Sequence, residues 1–365
     1  MAFREVSHIL GRYFFVIALI LLIPLGVAAY FEFLVSPDLH PQIHSTVAFL
    51  ETVGASLLLA LGFSWLGRRS KGNVYWKEGL LVVVSIWFLT PLVGSFPFMF
   101  SGTLSNPLHG YFEMMSGFTT TGASILSSSS ASELVVEETP LDGKDDALKT
   151  RYVYRATVAP IRDTEGKVLY TGVEAVGKAL LFWRSMTQWL GGIGVIVLFV
   201  AIFPALGMGG KMLLHAEVPG PIKDSLTPRI RETAWHLMLI YLSLTVAEVV
   251  ALMATNWEID LFEALVTTFS TISTGGYSIY NASIGAFNNP TTEWVVLIFM
   301  LAGVVHFTLY FYLRRAWIYK LYNSELLVFL ITIFGASLFA SLSIVGTLKS
   351  SLTGGGIQGE VYSPM

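Results

Sequence analysis

The sequence predicts an all-α polytopic membrane protein. Two N-terminal spans precede repeated units, each made of a span, a re-entrant half-helix with its loop, and a return span. Three observations predict this class. Of 365 residues, 54% are hydrophobic and 13% charged, with a mean hydropathy of +0.65; soluble domains carry about 25% charged residues. Seven apolar stretches suit a hydrocarbon core about 30 Å thick, which takes about 20 helical residues to cross. Two hydroxyl-rich runs containing Thr-Gly, Met115–Ser124 and Ser270–Ser278, each follow an amphipathic segment too short to cross.

The elements follow in order. The first span, Tyr13–Leu34, exceeds the roughly 7–15 apolar residues of a secretory signal core and reads as a retained helix. With the second, Thr46–Leu66, it forms an N-terminal region, residues 1–72. The third, Trp76–Phe98, opens a first repeat over residues 73–210, with Asn106–Phe118 as half-helix, Thr119–Ser124 as loop and Val176–Pro204 as return span. Residues 127–172 read as an extracytoplasmic insert. Within it, Arg151–Val158 and Val168–Tyr170 alternate like strands around a turn at Asp163–Gly166. Residues 211–325 hold a cytoplasmic connection and a second repeat: span Thr233–Thr255, half-helix Ile259–Ser270 with Asp260 as N-cap, loop Thr271–Ser278 and return span Glu293–Leu313. Residues 326–365 give the first span of a third repeat, Leu326–Leu348, and a short polar tail, Lys349–Met365.

Basic residues orient the spans. Arg4 and Arg12, Arg68, Arg69 and Lys71, then Lys211, Lys223, Arg229 and Arg231, and Arg314, Arg315 and Lys320 mark the N-terminus and the even-numbered connections as cytoplasmic. The first and fifth connections carry no Lys or Arg. Both hydroxyl-glycine runs therefore fall outside. The third connection mixes both signs of charge, but long polar loops translocate largely regardless of charge. A net charge of -3 is near neutral and suggests no nucleic-acid partner, and the absence of cysteine excludes disulfides and thiolate metal sites.

The two runs suit the coordination of a dehydrated cation. Backbone carbonyls replace an ion's water when they face a common axis, and the required angles come most cheaply from glycine. Gly122 and Gly275 are the candidates, with Thr120, Thr121, Ser273 and Thr274 adding oxygens. Each half-helix directs its negative C-terminal end toward the ion.

Phe118–Ser124, Phe182–Gly194, Ala216–Pro221, Leu226–Ile230 and Phe269–Ser278 together resemble the Trk/Ktr/HKT potassium transporters, and the two extra N-terminal spans favour the Trk branch, the bacterial potassium-uptake membrane subunit. The resemblance implies a filter of four span–pore loop–span repeats, each with one glycine. It implies that potassium is substrate at Thr120, Thr121, Gly122, Ser273, Thr274 and Gly275, with no cofactor bound by this chain. It also implies a homodimer in the bacterial inner membrane, gated by a cytoplasmic nucleotide-binding regulatory subunit. Two pore loops are found where that family uses four. A truncated, non-conducting chain or accessory subunit pairing with a complete copy is therefore one expectation; two copies assembling one pore is another.

Other residues carry open alternatives. Glu113 and Glu263, on the half-helices, either make the outer mouth negative or bond to nearby loops. Arg184 either snorkels to the interface or braces a filter loop. Glu248, well inside its span, either attracts ions or makes a structural hydrogen bond. Gly191, Gly192 and Gly194 suit close helix packing. Ala205–Met212 fails as a phosphate loop, because Ala205 replaces the first glycine and Met212 the Ser/Thr. His215, His236 and His306 lack partners at ligand spacing, and no nucleophile–base pair suggests an enzyme.

Overall fold

Long apolar stretches become long helices. The computed structural model describes residues 2–35, 44–70, 76–126, 157–162, 168–192, 194, 230–304 and 324–353. Its helices are α1 (Ala2–Phe33), α2 (Ser45–Leu66), α3 (Trp76–Phe100), α4 (Pro107–Phe118), α5 (Lys178–Gly192), α6 (Ile230–Thr255), α7 (Leu261–Ile272), α8 (Pro290–Val304) and α9 (Ser324–Thr353). Four described helices are long and apolar enough to cross a membrane: Phe3–Phe33, Ser45–Leu66, Lys77–Phe100 and Trp235–Thr255. The chain divides into two compact units, Met1–Gly303 and Val304–Met365; within the described part of the second lies α9.

In the first unit, α1 and α2 form a tight antiparallel pair. A side chain at Gly11 would crowd Ser64, and one at Gly67 would crowd the backbone of His8. Small residues let membrane helices approach this closely. Phe14 stacks on Phe63, and the Tyr13 hydroxyl meets Thr90 of α3 across 2.5 Å. The opposite faces of α1 and α2 present Phe15, Leu19, Ile23, Leu58 and Leu61 outward, which suits lipid.

Several sequence expectations shift. The first helix begins at Ala2 rather than Tyr13, because Val6, Ile9 and Leu10 already bury a face against the core. The fourth span ends as a helix at Gly192, and Gly194 has φ +66°. Its 15 residues span about 23 Å. Residues 195–204 lie outside those described. In the insert, β2 (Val168–Tyr170) pairs antiparallel with β1 (Ile161–Arg162), a strand closer to the turn than the expected Arg151–Val158. Residues 151–156 and 163–167 lie outside the described set. In the second unit, α9 runs helical through Lys349–Thr353, past the expected end at Leu348.

Candidate functional site

The two half-helices are the same object twice. α4 and α7 each contain 12 residues, so Pro107 corresponds to Leu261 and Phe118 to Ile272, a constant separation of 154 positions (261 less 107). Both have a polar N-cap. Asn106 accepts from Leu108 N at 3.0 Å, and Asp260 forms a capping box with Glu263. Both ends close with the same two bonds. Thr120 N donates to Gly117 O at 3.0 Å and Thr121 N to Ser116 O at 2.9 Å. Thr274 N donates to Thr271 O at 2.9 Å and Gly275 N to Ser270 O at 2.8 Å. This is a Schellman cap, whose left-handed position usually holds glycine. Here it holds threonine twice, Thr120 and Thr274, each at φ 53°. A β-branched residue is a genuine outlier there, and matched outliers point to function.

Continuing the register, Thr121 corresponds to Gly275 and Gly122 to Gly276, with Gly122 at φ +76° and Gly276 at +77°. The pairing of Gly122 with Gly275 read from the sequence is thus displaced by one residue. Gly276 is the backbone counterpart of Gly122, and the sequence reading missed it. The shared spacing to Ser124 and Ser278 was the available signal.

The loops meet. A side chain on Gly122 would collide with the Gly275 carbonyl oxygen. That carbonyl accepts from Gln188 Nε2 of α5 at 2.7 Å, while Gln188 Oε1 accepts from Tyr277 N at 3.1 Å. Thr119 and Thr121 pair their exposed hydroxyls at 2.8 Å, and Thr274 and Gly276 are exposed. Ser273 is turned away: its buried hydroxyl donates to Phe269 O at 2.7 Å, a bond inside its own helix end.

Arg184 and Glu113 stand behind the loops. Both are buried, at 2% and 0% exposure, and Arg184 Nε donates to Glu113 Oε1 at 2.6 Å. Glu113 also accepts from the Ser124 hydroxyl at 3.0 Å and from Ile125 N at 2.9 Å. Arg184 Nη1 donates to Ser278 O at 2.9 Å, and its guanidinium lies 3.4 Å from the Tyr277 ring centroid. Tyr277 in turn donates to Glu113 O at 2.6 Å. Arg184 therefore contacts the loop rather than snorkelling, and Glu113 does not line an open mouth. Glu263 bonds its own N-cap and the Tyr280 hydroxyl. Burial, and then that carboxylate, hold Tyr280 above its ordinary pKa.

Glu248 is fully buried on α6 near Thr271 and Tyr241, and neither carboxylate oxygen has a hydrogen-bond partner among the described residues. Gly191 and Gly192 pack as expected. A Cβ on Gly191 would lie 2.8 Å from the Phe118 carbonyl carbon, and one on Gly192 2.8 Å from Ser273 Cβ. Gly303 of α8 meets Ile272 of α7 in the same way. Since Phe118 and Ile272 are counterparts, so are Gly191 and Gly303. Arg184 then corresponds to Val296, and Gln188 to Met300. Behind the second loop lies a cavity of about 160 Å³ lined in part by Thr267, Thr271, Tyr277, Val296 and Met300. These are the counterparts of Glu113, Gly117, Ala123, Arg184 and Gln188. His215 and His306 lie outside the described residues; among those described, no group of acids and imidazoles could hold a metal.

Comparisons with known proteins agree with one another. Residues 148–334 match the family model TrkH, described as a cation transport protein. The chain is 36% identical over 277 residues to the Trk system potassium uptake protein TrkH of Escherichia coli K12, covering 75% of this chain and 48% of that protein. It is 29% identical over 345 residues to the same organism's TrkG, covering 93% of this chain and 60% of that protein. Its fold matches the crystal structure of the potassium transporter TrkH from Vibrio parahaemolyticus with a TM-score of 0.58 at 29% identity, over 85% of this chain and 52% of the other. The chain spans about half the length of the TrkH relatives it matches.

Proposed function

The chain belongs to the TrkH family of cation transport proteins, and from that membership we propose that it supplies two pore loops of a potassium-uptake pathway. The family is one of membrane transporters and not of enzymes. The observation that carries the reading is the repeated half-helix end: two matched caps lay hydroxyl-glycine loops against each other, with Gly122 in contact with the Gly275 carbonyl. Each α-helix ends with its partial negative charge at the loop, which favours a cation. Irregular backbone at membrane depth is tolerated where it lines a water-filled cavity. Thr120, Thr121, Gly122, Thr274, Gly275 and Gly276 are the proposed filter segment, with Gly122 and Gly276 as the matched glycines.

Potassium enters down the membrane potential, which supplies about 2.3 kcal/mol per charge at 100 mV. The chain acts in the bacterial inner membrane with its N-terminus in the cytoplasm, as part of a homodimer regulated by a cytoplasmic nucleotide-binding subunit. A second reading is a non-conducting chain that pairs with a complete copy.

One experiment tests both. In a strain without its own potassium uptake, this chain is expressed alone and beside a complete relative. Growth at low potassium with the chain alone supports transport; no growth alone, together with a change in the relative's own uptake when the chain is present, supports the second reading. Where the chain itself conducts, Gly276→Ser is expected to lower potassium-over-sodium selection. Unchanged selection removes Gly276 from the filter.

A further inference from the structure

We propose that the buried Arg184–Glu113 pair is a positioning device that sets the separation of the two filter loops and so the ion they prefer. The proposal rests on the pore reading above. Its first support is where the pair ends. Glu113 takes the hydroxyl of Ser124, and Arg184 donates to the carbonyl of Ser278. Ser124 and Ser278 are repeat counterparts, each two residues beyond its matched glycine. One ion pair thus ties the same point of both loops. The contact is reinforced by Tyr277, whose ring lies under the guanidinium and whose hydroxyl reaches Glu113 O. Gln188, one turn along α5, grips Gly275 O and Tyr277 N, the residues on either side of Gly276.

The second support is what the fold does without the pair. The counterparts in the second repeat are Thr267 and Val296, which are neutral, yet α7 and its cap form with the same length and bonds as α4. The half-helix therefore does not need an ion pair to fold. Replacing a buried pair by apolar residues is often neutral or stabilising, so stability alone does not account for this one. Its geometry does: from one helix Arg184 reaches the second loop directly at Ser278 O, and the first loop through Glu113 of α4, which holds Ser124 and Ile125.

The test uses the chain's freedom from cysteine. Spin labels at Ala123→Cys and Ala282→Cys, both exposed positions, report the distance between the loops by pulsed electron resonance. Glu113→Thr/Arg184→Val copies the second repeat and leaves no unpaired charge. It is expected to insert normally, broaden the distance distribution, and lower potassium-over-sodium selection about tenfold. Arg184→Lys keeps the charge and loses the fork to Ser278; an intermediate result is expected. An unchanged distribution in the double variant overturns the proposal, as does a broadened distribution with unchanged selection. If the parent protein moves no potassium in any setting, the pore reading fails, and the label distances alone decide whether the pair positions the loops.

Discussion

Thr120 and Thr274 hold a backbone conformation that costs a residue with a β-carbon about 1–2 kcal/mol. Their hydroxyl groups are the property glycine lacks, so the strain is explained if those oxygens serve the ion. Thr120→Gly and Thr274→Gly are expected to raise the stability of the detergent-solubilised protein by about 1 kcal/mol each while weakening potassium selection. Thermal unfolding and ion flux measure the two effects; selection that survives both changes would leave the threonines without a reason. Gly122 stood out in the sequence through repetition: a lone Thr-Gly-Ala is weak evidence, and a second hydroxyl-glycine run in the same setting is what marked it. Gly276 did not, since Thr-Gly-Ala and Thr-Gly-Gly align equally well in two registers. The matched caps and positive φ angles separate them, and the shared spacing to Ser124 and Ser278 was the one sequence signal for that register. Arg184 and Glu113 were each noticed as charged residues near the hydroxyl-glycine loops, but their pairing spans 71 positions of sequence, and no local pattern encodes it.

Half-helices seat against return helices through glycine. Gly191 meets Phe118 of α4, and Gly303 meets Ile272 of α7. Gly191→Ala is expected to cost about 1–3 kcal/mol by overpacking, whereas Gly285→Ala, with open space around it, is expected to be near neutral. Chemical denaturation of the two variants checks this, and equal stabilities would show that the α4–α5 contact yields freely. Helix existence was readable from hydropathy and length. Helix ends were less so: the first helix starts at Ala2, ahead of the apolar run that begins at Tyr13, and the described part of the fourth span ends at Gly192, with Gly194 at positive φ. Apolar content reports the solvent a segment meets, while backbone angles decide where a helix stops.

The molecule's outer surface is consistent with a bilayer. Trp65 and Trp235 are exposed near the ends assigned to the cytoplasm, and Trp257 and Trp294 near the opposite ends. Indole rings favour both membrane interfaces. With no native thiol to interfere, Ser70→Cys is expected to react with a membrane-impermeant reagent only in inside-out vesicles, and Asn289→Cys only in right-side-out vesicles. The reverse pattern would invert the proposed topology. A last consequence follows from Tyr277. It reaches into the first repeat, but its counterpart there is Ala123, which has no ring to send back. The two repeats are therefore joined tongue to groove, not face to matching face. Such a contact has a direction, and contacts of this head-to-tail kind either close into a ring or continue as an open series.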